Sequence, residues 1–284
     1  MSDATWPPMI WIGGAPGAGK STLGRALAHA ADLPLHPIDR WTWVHAGRLP
    51  AGPPLAEVLA RGAEEAAQSF ADGARERLDL VLADVAARDL GDVPALVEGP
   101  QLFPELAGPL PRGFAVWLLP DPEQTRRARE ARLAAVDDPA ARASIEGLVA
   151  RDAVIAALVR DQADAAGLPV VEVGADPDRA DPDWADPDWA AVRAAVEDAL
   201  SPALAAAPRL PAGEPLAAQR RFENEAAARQ IELWTAAERI GTDPVFPFAC
   251  ECGRSGCAET WSGTVAGYRS GPPLRHGADR PTGA

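Results

Sequence analysis

The octapeptide GAPGAGKS, Gly14 to Ser21, fills every fixed position of the spacing G-x-x-x-x-G-K-[ST]. That spacing serves the binding of a polyphosphate. The glycines let the backbone wrap so that successive N–H groups converge on an anion. The lysine reaches the β- and γ-phosphates, and the hydroxyl ligates Mg²⁺. The residues assigned to the nest are Gly14, Ala15, Pro16, Gly17, Ala18, Gly19, Lys20, Ser21 and Thr22, with Ser21 as the Mg²⁺ ligand. The chain has 26 arginines and one lysine, and that lysine is Lys20. A guanidinium is a poor substitute where a compact ammonium must fit between phosphates.

Two carboxylates are candidates for the chemistry beside that loop. Asp39 closes LPLHPID and Glu98 closes PALVE, each at the end of an apolar run that reads as a strand. Phosphoryl transfer needs positioning and charge neutralisation more than a strong base. Asp39 is expected to orient an acceptor hydroxyl or to hold Mg²⁺ through water, with Glu98 next in line. The structural alternatives are a turn carboxylate for Asp39 and an arginine pair for Glu98. Asp84, in DLVLAD, mimics a metal-binding strand end, but Leu78, Leu82 and Val85 follow helical spacing, which favours a helix. Trp41 and Trp43 read as packing residues more readily than as ligand-stacking ones. His36 and His45 show no partner pattern.

The third constellation is Cys250-x-Cys252-x₄-Cys257, which holds all the thiols of the chain within eight residues. An odd number of cysteines does not make a full disulfide framework. His276 lies 19 residues after Cys257 and could complete a Cys₃His tetrahedral Zn²⁺ site of structural type. A reduced buried group or a redox pair remains the alternative.

The elements that must position these groups alternate. Strands are expected at Met9–Gly14, Leu33–Asp39, Pro94–Pro100, Phe114–Pro120 and Leu168–Val173. Helices are expected over Thr22–Leu33, over Leu55–Leu90 with a hinge near Gly73, from Asp121 to Ala135, from about Pro139 to Ala166, and over Trp189–Leu200. The alternation predicts an α/β fold with a five-stranded parallel sheet flanked by helices. Ligands of such sheets bind beyond the carboxyl ends of the strands, so the glycine loop, Asp39 and Glu98 should face one crevice. ADPDx repeats three times between Ala175 and Ala190 and reads as a solvated loop. The expected division is residues 1–204 as a nucleotide-binding domain, 205–215 as a Pro/Ala-rich linker, and 216–284 as a small cysteine-containing module opening with a helix over Leu216–Ile240.

The formal charge of −14 sits in the first 214 residues, which hold 19 basic and 33 acidic residues; the remainder is neutral. Such a surface repels nucleic acid and anionic membrane at long range. That disfavours a nucleic-acid-binding zinc protein with an accessory ATPase. No apolar run approaches the ~18 residues of a membrane span, and MSDATWPP lacks the basic start of a signal peptide. The expectation is a cytoplasmic protein.

The glycine loop, LPLHPIDRWTW, ALVEGP and RDAVIAALVRDQADAAGLPVVEV together resemble the P-loop kinases of the adenylate-kinase and shikimate-kinase type, and a bacterial branch of small ATP-binding proteins within that group. The likeness spans about residues 9 to 200. It implies ATP with Mg²⁺, a small-molecule hydroxyl or phosphate as acceptor, and a lid of arginines. Arg126, Arg127, Arg129, Arg132, Arg142 and Arg151 are the lid candidates, with Arg129 and Arg151 placed on the phosphates. EGPQL, Glu98 to Leu102, departs from the D-G-x-P-R pattern of adenylate kinases, which argues against a nucleoside-monophosphate acceptor. The second functional expectation is a nucleotide-dependent regulatory ATPase whose C-terminal module binds a protein partner. The segment from about Arg220 also resembles short cysteine-containing modules of high-GC bacteria, through NEAAARQIE, FACEC and GC.

Overall fold

A computed structural model describes residues 6–134, 144–174, 187–237 and 243–274, without the side chains of residues 132–134. Five parallel strands form the central sheet: β1 (Met9–Gly14), β2 (Leu35–Pro37), β3 (Ala95–Glu98), β4 (Ala115–Pro120) and β5 (Val170–Val173), in the order β2-β3-β1-β4-β5. The expected α/β class and five-stranded parallel sheet are therefore present. β1 lies between β3 and β4, with Ile12 level with Glu98 and Gly14 level with Leu118.

Alternation along β1 divides the core into two layers, as the period of two requires. Met9 and Trp11 face helices α4 (Ala63–Ala86) and α6 (Ile145–Ala166), packing with Ala71, Val81, Ile155 and Val159. Ile10 and Ile12 face α1 (Lys20–Ala30), α7 (Trp189–Ala199) and α8 (Ser201–Ala206), packing with Leu23, Leu27, Val192 and Val196. A short α2 (Thr42–Ala46) and α3 (Leu55–Ala60) lie between β2 and α4, and α5 (Pro122–Ala134) follows β4. Asp121 caps α5 by accepting from the Gln124 N–H at 2.6 Å, with Pro122 at the first helical position, where a missing N–H is harmless.

The expected hinge near Gly73 is not there. The break falls at Gly62, which has φ 104 and precedes the 24-residue α4; the helix then runs unbroken through Gly73. A positive φ ends a helix, whereas a glycine with ordinary helical dihedrals only weakens it. Asp84 is helical, as its spacing indicated, and it is paired: it accepts from His45 at 2.7 Å and from Arg48 at 3.0 Å.

Beyond α8, residues 207–211 have no regular structure and residues 212–213 turn into the next helix, and Leu210 donates its N–H to the Asp32 carbonyl. Helix α9 (Glu214–Ala237) follows, then an antiparallel hairpin of β6 (Phe246–Ala249) and β7 (Thr260–Gly263), then α10 (Val265–Ser270). Ala227, Ala228, Ile231, Phe248, Val265 and Leu274 form a small core. Asn224 ties the helix to the hairpin, donating to the Ala249 carbonyl at 2.9 Å and accepting from the Ala249 N–H at 2.7 Å.

This segment is docked through a buried ionic cluster. Glu223 accepts from Arg220 at 2.6 Å, from His29 of α1 at 2.9 Å, and from the Leu35 N–H of β2 at 3.3 Å. Arg220 also donates to the Leu33 carbonyl at 3.1 Å. Burial opposes charge on Glu223, but the Arg220 charge and the His29 hydrogen bond hold it down at about 2. Burial also lowers His29, so the imidazole is neutral and donates to an ionised carboxylate. No helix among the described residues is long and apolar enough to cross a membrane.

Candidate phosphate-binding site

The glycine loop leaves the carboxyl end of β1 and enters α1. Gly14 has φ 116, and a Cβ there would strike the backbone of Leu118 on β4. Gly19, at φ 75, lies under the indole of Trp189, at the start of α7, which leaves no room for a Cβ. Both positions need glycine, for dihedral and for space. Helix α5 braces the other flank, where the Gln124 side-chain amide donates to the Gly17 carbonyl at 3.2 Å. Lys20 is 5% exposed and donates to the Ala15 carbonyl at 2.7 Å.

A cavity of about 350 Å³ opens on this loop. Pro16, Gly17, Gly19, Lys20, Ser21 and Thr22 form one part of its lining. Asp39, Arg77, Gln101, Arg129 and Arg151 also line it, with Phe70 among them. Asp39 arrives on a 3₁₀ turn, Ile38–Trp41, that follows β2, and it accepts from the Gln101 side-chain amide at 3.3 Å.

Arg129 and Arg151 share one anchor. Asp152 is 1% exposed and accepts a fork from each: 2.8 and 2.5 Å from Arg129, 3.0 and 2.7 Å from Arg151. Arg151 also lies 5.3 Å over the Phe70 ring. Two guanidiniums on α5 and α6 are thus held at fixed positions beside the loop, as the paired-fork geometry of arginine allows. Arg126 instead pairs with Glu146 at 2.5 Å and is not among the cavity-lining residues, and Arg127 donates to Gln124 at 3.3 Å. The Arg132 side chain, Arg142 and His276 lie outside the described residues.

Glu98 is not paired with an arginine. It is 1% exposed at the end of β3, and neither oxygen makes a hydrogen bond of standard geometry. Burial, then the neighbouring charge of Asp39, raises it to about 7, while Lys20, the Ser21 hydroxyl and Arg40 pull the other way. A buried carboxylate without a fixed donor, beside a hydroxyl and a second carboxylate, is an oxygen-only donor set of the kind that suits a hard divalent cation.

Arg77, Gln101, Phe70 and Thr42 also line the cavity, and sequence spacing did not mark them. Trp41 packs, as expected, between His36, His45 and Phe222.

The three cysteines form a cluster whose sulfurs lie within 4.8 Å of one another. Their loop rests on the end of α1, where Asp32 accepts from the Ser255 hydroxyl at 2.5 Å and from the Gly256 N–H at 2.8 Å. None of the three is in a disulfide, and the group could hold a metal ion.

No protein-family model matches the chain, and no curated protein matches it. Among solved structures, a gluconokinase from Sinorhizobium meliloti 1021 aligns at 16% identity and TM-score 0.34, over 70% of this chain and 95% of that one. A shikimate kinase from Bacteroides thetaiotaomicron aligns at 19% identity and TM-score 0.36, over 69% of this chain and 98% of that one. Superpositions this loose transfer no substrate and no residue role.

Proposed function

We propose that this chain transfers the γ-phosphoryl group of Mg-ATP to a hydroxyl or phosphate oxygen of a small-molecule acceptor. The carrying observation is one cavity lined both by the phosphate loop and by Asp39, Arg77, Gln101, Arg129 and Arg151. In this reading Lys20 leaves the Ala15 carbonyl and neutralises the β- and γ-phosphates. Asp39 orients the acceptor hydroxyl and takes its proton as the acceptor oxygen bonds to phosphorus and the bond to the ADP oxygen breaks. Arg129 and Arg151, pre-positioned on Asp152, stabilise charge on the transferred group.

Ser21, with Glu98 and Asp39 behind it, would hold Mg²⁺, whose chemistry is charge neutralisation of the phosphates. The same proposal gives Cys250, Cys252 and Cys257 a structural Zn²⁺, with His276 as fourth ligand. Support comes from the clustered sulfurs: tetrahedral thiolates on zinc lie about 3.8 Å apart, from Zn–S bonds of ~2.3 Å.

The test is ADP formation from ATP and Mg²⁺ with a panel of small hydroxy-acids, sugars and monophosphates. Turnover should depend on one class of acceptor, and Lys20→Ala should lower it about 10²–10³-fold. A Lys20→Ala protein at the wild-type rate refutes the role of the loop. ADP formation that no acceptor stimulates replaces transfer with the regulatory-ATPase reading.

A further inference from the structure

A second cleft, of about 850 Å³, lies between α1 and the C-terminal segment. It shares Ser21, Thr22 and Asp39 with the phosphate cavity, so the two adjoin at that rim. Away from the rim its lining includes Arg25 and Arg40, with Trp43, Trp234 and Phe246. The last two come from α9 and β6, so the cleft exists only because the C-terminal segment is docked.

Both arginines are partly buried. Arg25 donates to the Pro247 carbonyl at 3.3 Å, and Arg40 donates to the Glu223 carbonyl at 3.0 Å while lying 5.0 Å over the Phe246 ring. Each guanidinium has five N–H donors in a planar fork, and one carbonyl uses only part of that. Glu223 and Glu98 attract both arginines without hydrogen-bonding to either. Desolvation lowers Arg25 and brings Arg40 down to about 9, the direction expected of cations whose burial is not offset by a paired anion. The two arginines that are almost wholly buried are matched, Arg220 with Glu223 and Arg151 with Asp152, whereas Arg88, partly buried like Arg25 and Arg40, donates to the Leu35 carbonyl and the Gln219 side chain.

We infer that this cleft binds an organic anion, a carboxylate or phosphate carried on a flat apolar body, with the charge on Arg25 and Arg40 and the body against Trp43, Trp234 and Phe246. Planar guanidiniums match carboxylate and phosphate oxygens, and aromatic walls favour a flat ligand over a bare ion. Arg25 stands one helical turn beyond Ser21 and Thr22, so an occupant touches the same helix that ends the phosphate loop. The inference needs the docked C-terminal segment and not the phosphotransferase reading.

The experiment uses the full chain with benzoate and phenyl phosphate as probes, and benzyl alcohol and inorganic phosphate as controls. Binding is followed by calorimetry and by fluorescence of the tryptophans. Both aromatic anions should bind saturably at one site, tighter than either control. Arg25→Gln and Arg40→Gln should each weaken them about tenfold or more, the loss of one charge-assisted contact. Trp234→Ala should bring phenyl phosphate towards inorganic phosphate. Thermal melts and ATP binding of each variant check that the fold and the phosphate loop are intact. Absence of saturable binding to the wild type overturns the proposal. So does unchanged binding in both arginine variants, or binding that Lys20→Ala abolishes and the arginine variants keep, which would put the probe on the phosphate loop. Failure of ATP to bind the wild type, with probe binding intact, would instead sink the phosphotransferase reading alone.

Discussion

His36 offers a sharp quantitative test of the reasoning. It sits on β2, three residues before Asp39, is fully buried, and stacks on Trp41 at 5.5 Å with the rings 11° apart. Burial first, then the charge of Arg88, drives the imidazole from 6.5 down to about 3, and Asp84 only partly opposes this. The native protein therefore refuses a proton that the unfolded chain accepts. Stability from this group is complete above pH 6.5 and is lost as the pH falls towards 3. In that window the slope is about 1.4 kcal/mol per pH unit. From pH 7 to 4.5 the loss comes to about 2.5 kcal/mol. His36→Phe keeps a flat ring against Trp41 and removes the proton. Urea unfolding of both proteins across pH 7 to 4.5 should therefore give curves that diverge by about 2.5 kcal/mol in favour of the variant, whatever their offset at pH 7. His29 contributes the same sign in both and cancels in the difference. Parallel curves, within about 0.5 kcal/mol, would refute the argument that this strand buries a neutral imidazole.

Glu223→Gln should cost about 3 kcal/mol at neutral pH, because it leaves Arg220 buried without its anion. Glu223 is held at about 2 against an ordinary 4.5, so its contribution is full above pH 4.5 and the gap between wild type and variant should narrow below it; thermal melts at pH 7 and pH 4 measure both. A wild-type melt that Glu223→Gln leaves unmoved would mean that the C-terminal helix is not docked through this cluster. Freshly purified, reduced protein should carry about one zinc per chain by elemental analysis, and Cys252→Ser should lose most of it. Zinc absent from the wild type removes the metal from the proposal.

Much of the glycine-loop half was legible in the residues themselves. Gly14 and Gly19 take positive φ, and Lys20 and Ser21 follow them at fixed spacing, so the turn is written in consecutive residues. The strands could be read because residues such as Ile10, Ile12, Trp11 and Trp117 are buried on one layer or the other of a covered parallel sheet. Asp39 was read as the end of the second strand, but that strand stops at Pro37 and the 3₁₀ turn after it carries the carboxylate to the cavity. The break at Gly62 was misread as one at Gly73, because a glycine's letter does not state its φ. Arg77 and Gln101 were missed because nothing local distinguishes a cavity-facing arginine or glutamine from a solvated one.

The sequence by itself determined where an anion nest could form and which strand ends would flank it, since both follow from short-range sterics and a two-residue period. Only the tertiary structure decided that Arg129 and Arg151 share Asp152, and that Glu98 has no arginine. It alone brought Glu223 to His29, 194 positions away in the chain. Those are outcomes of burial and charge compensation between distant segments, and no spacing in the chain encodes them.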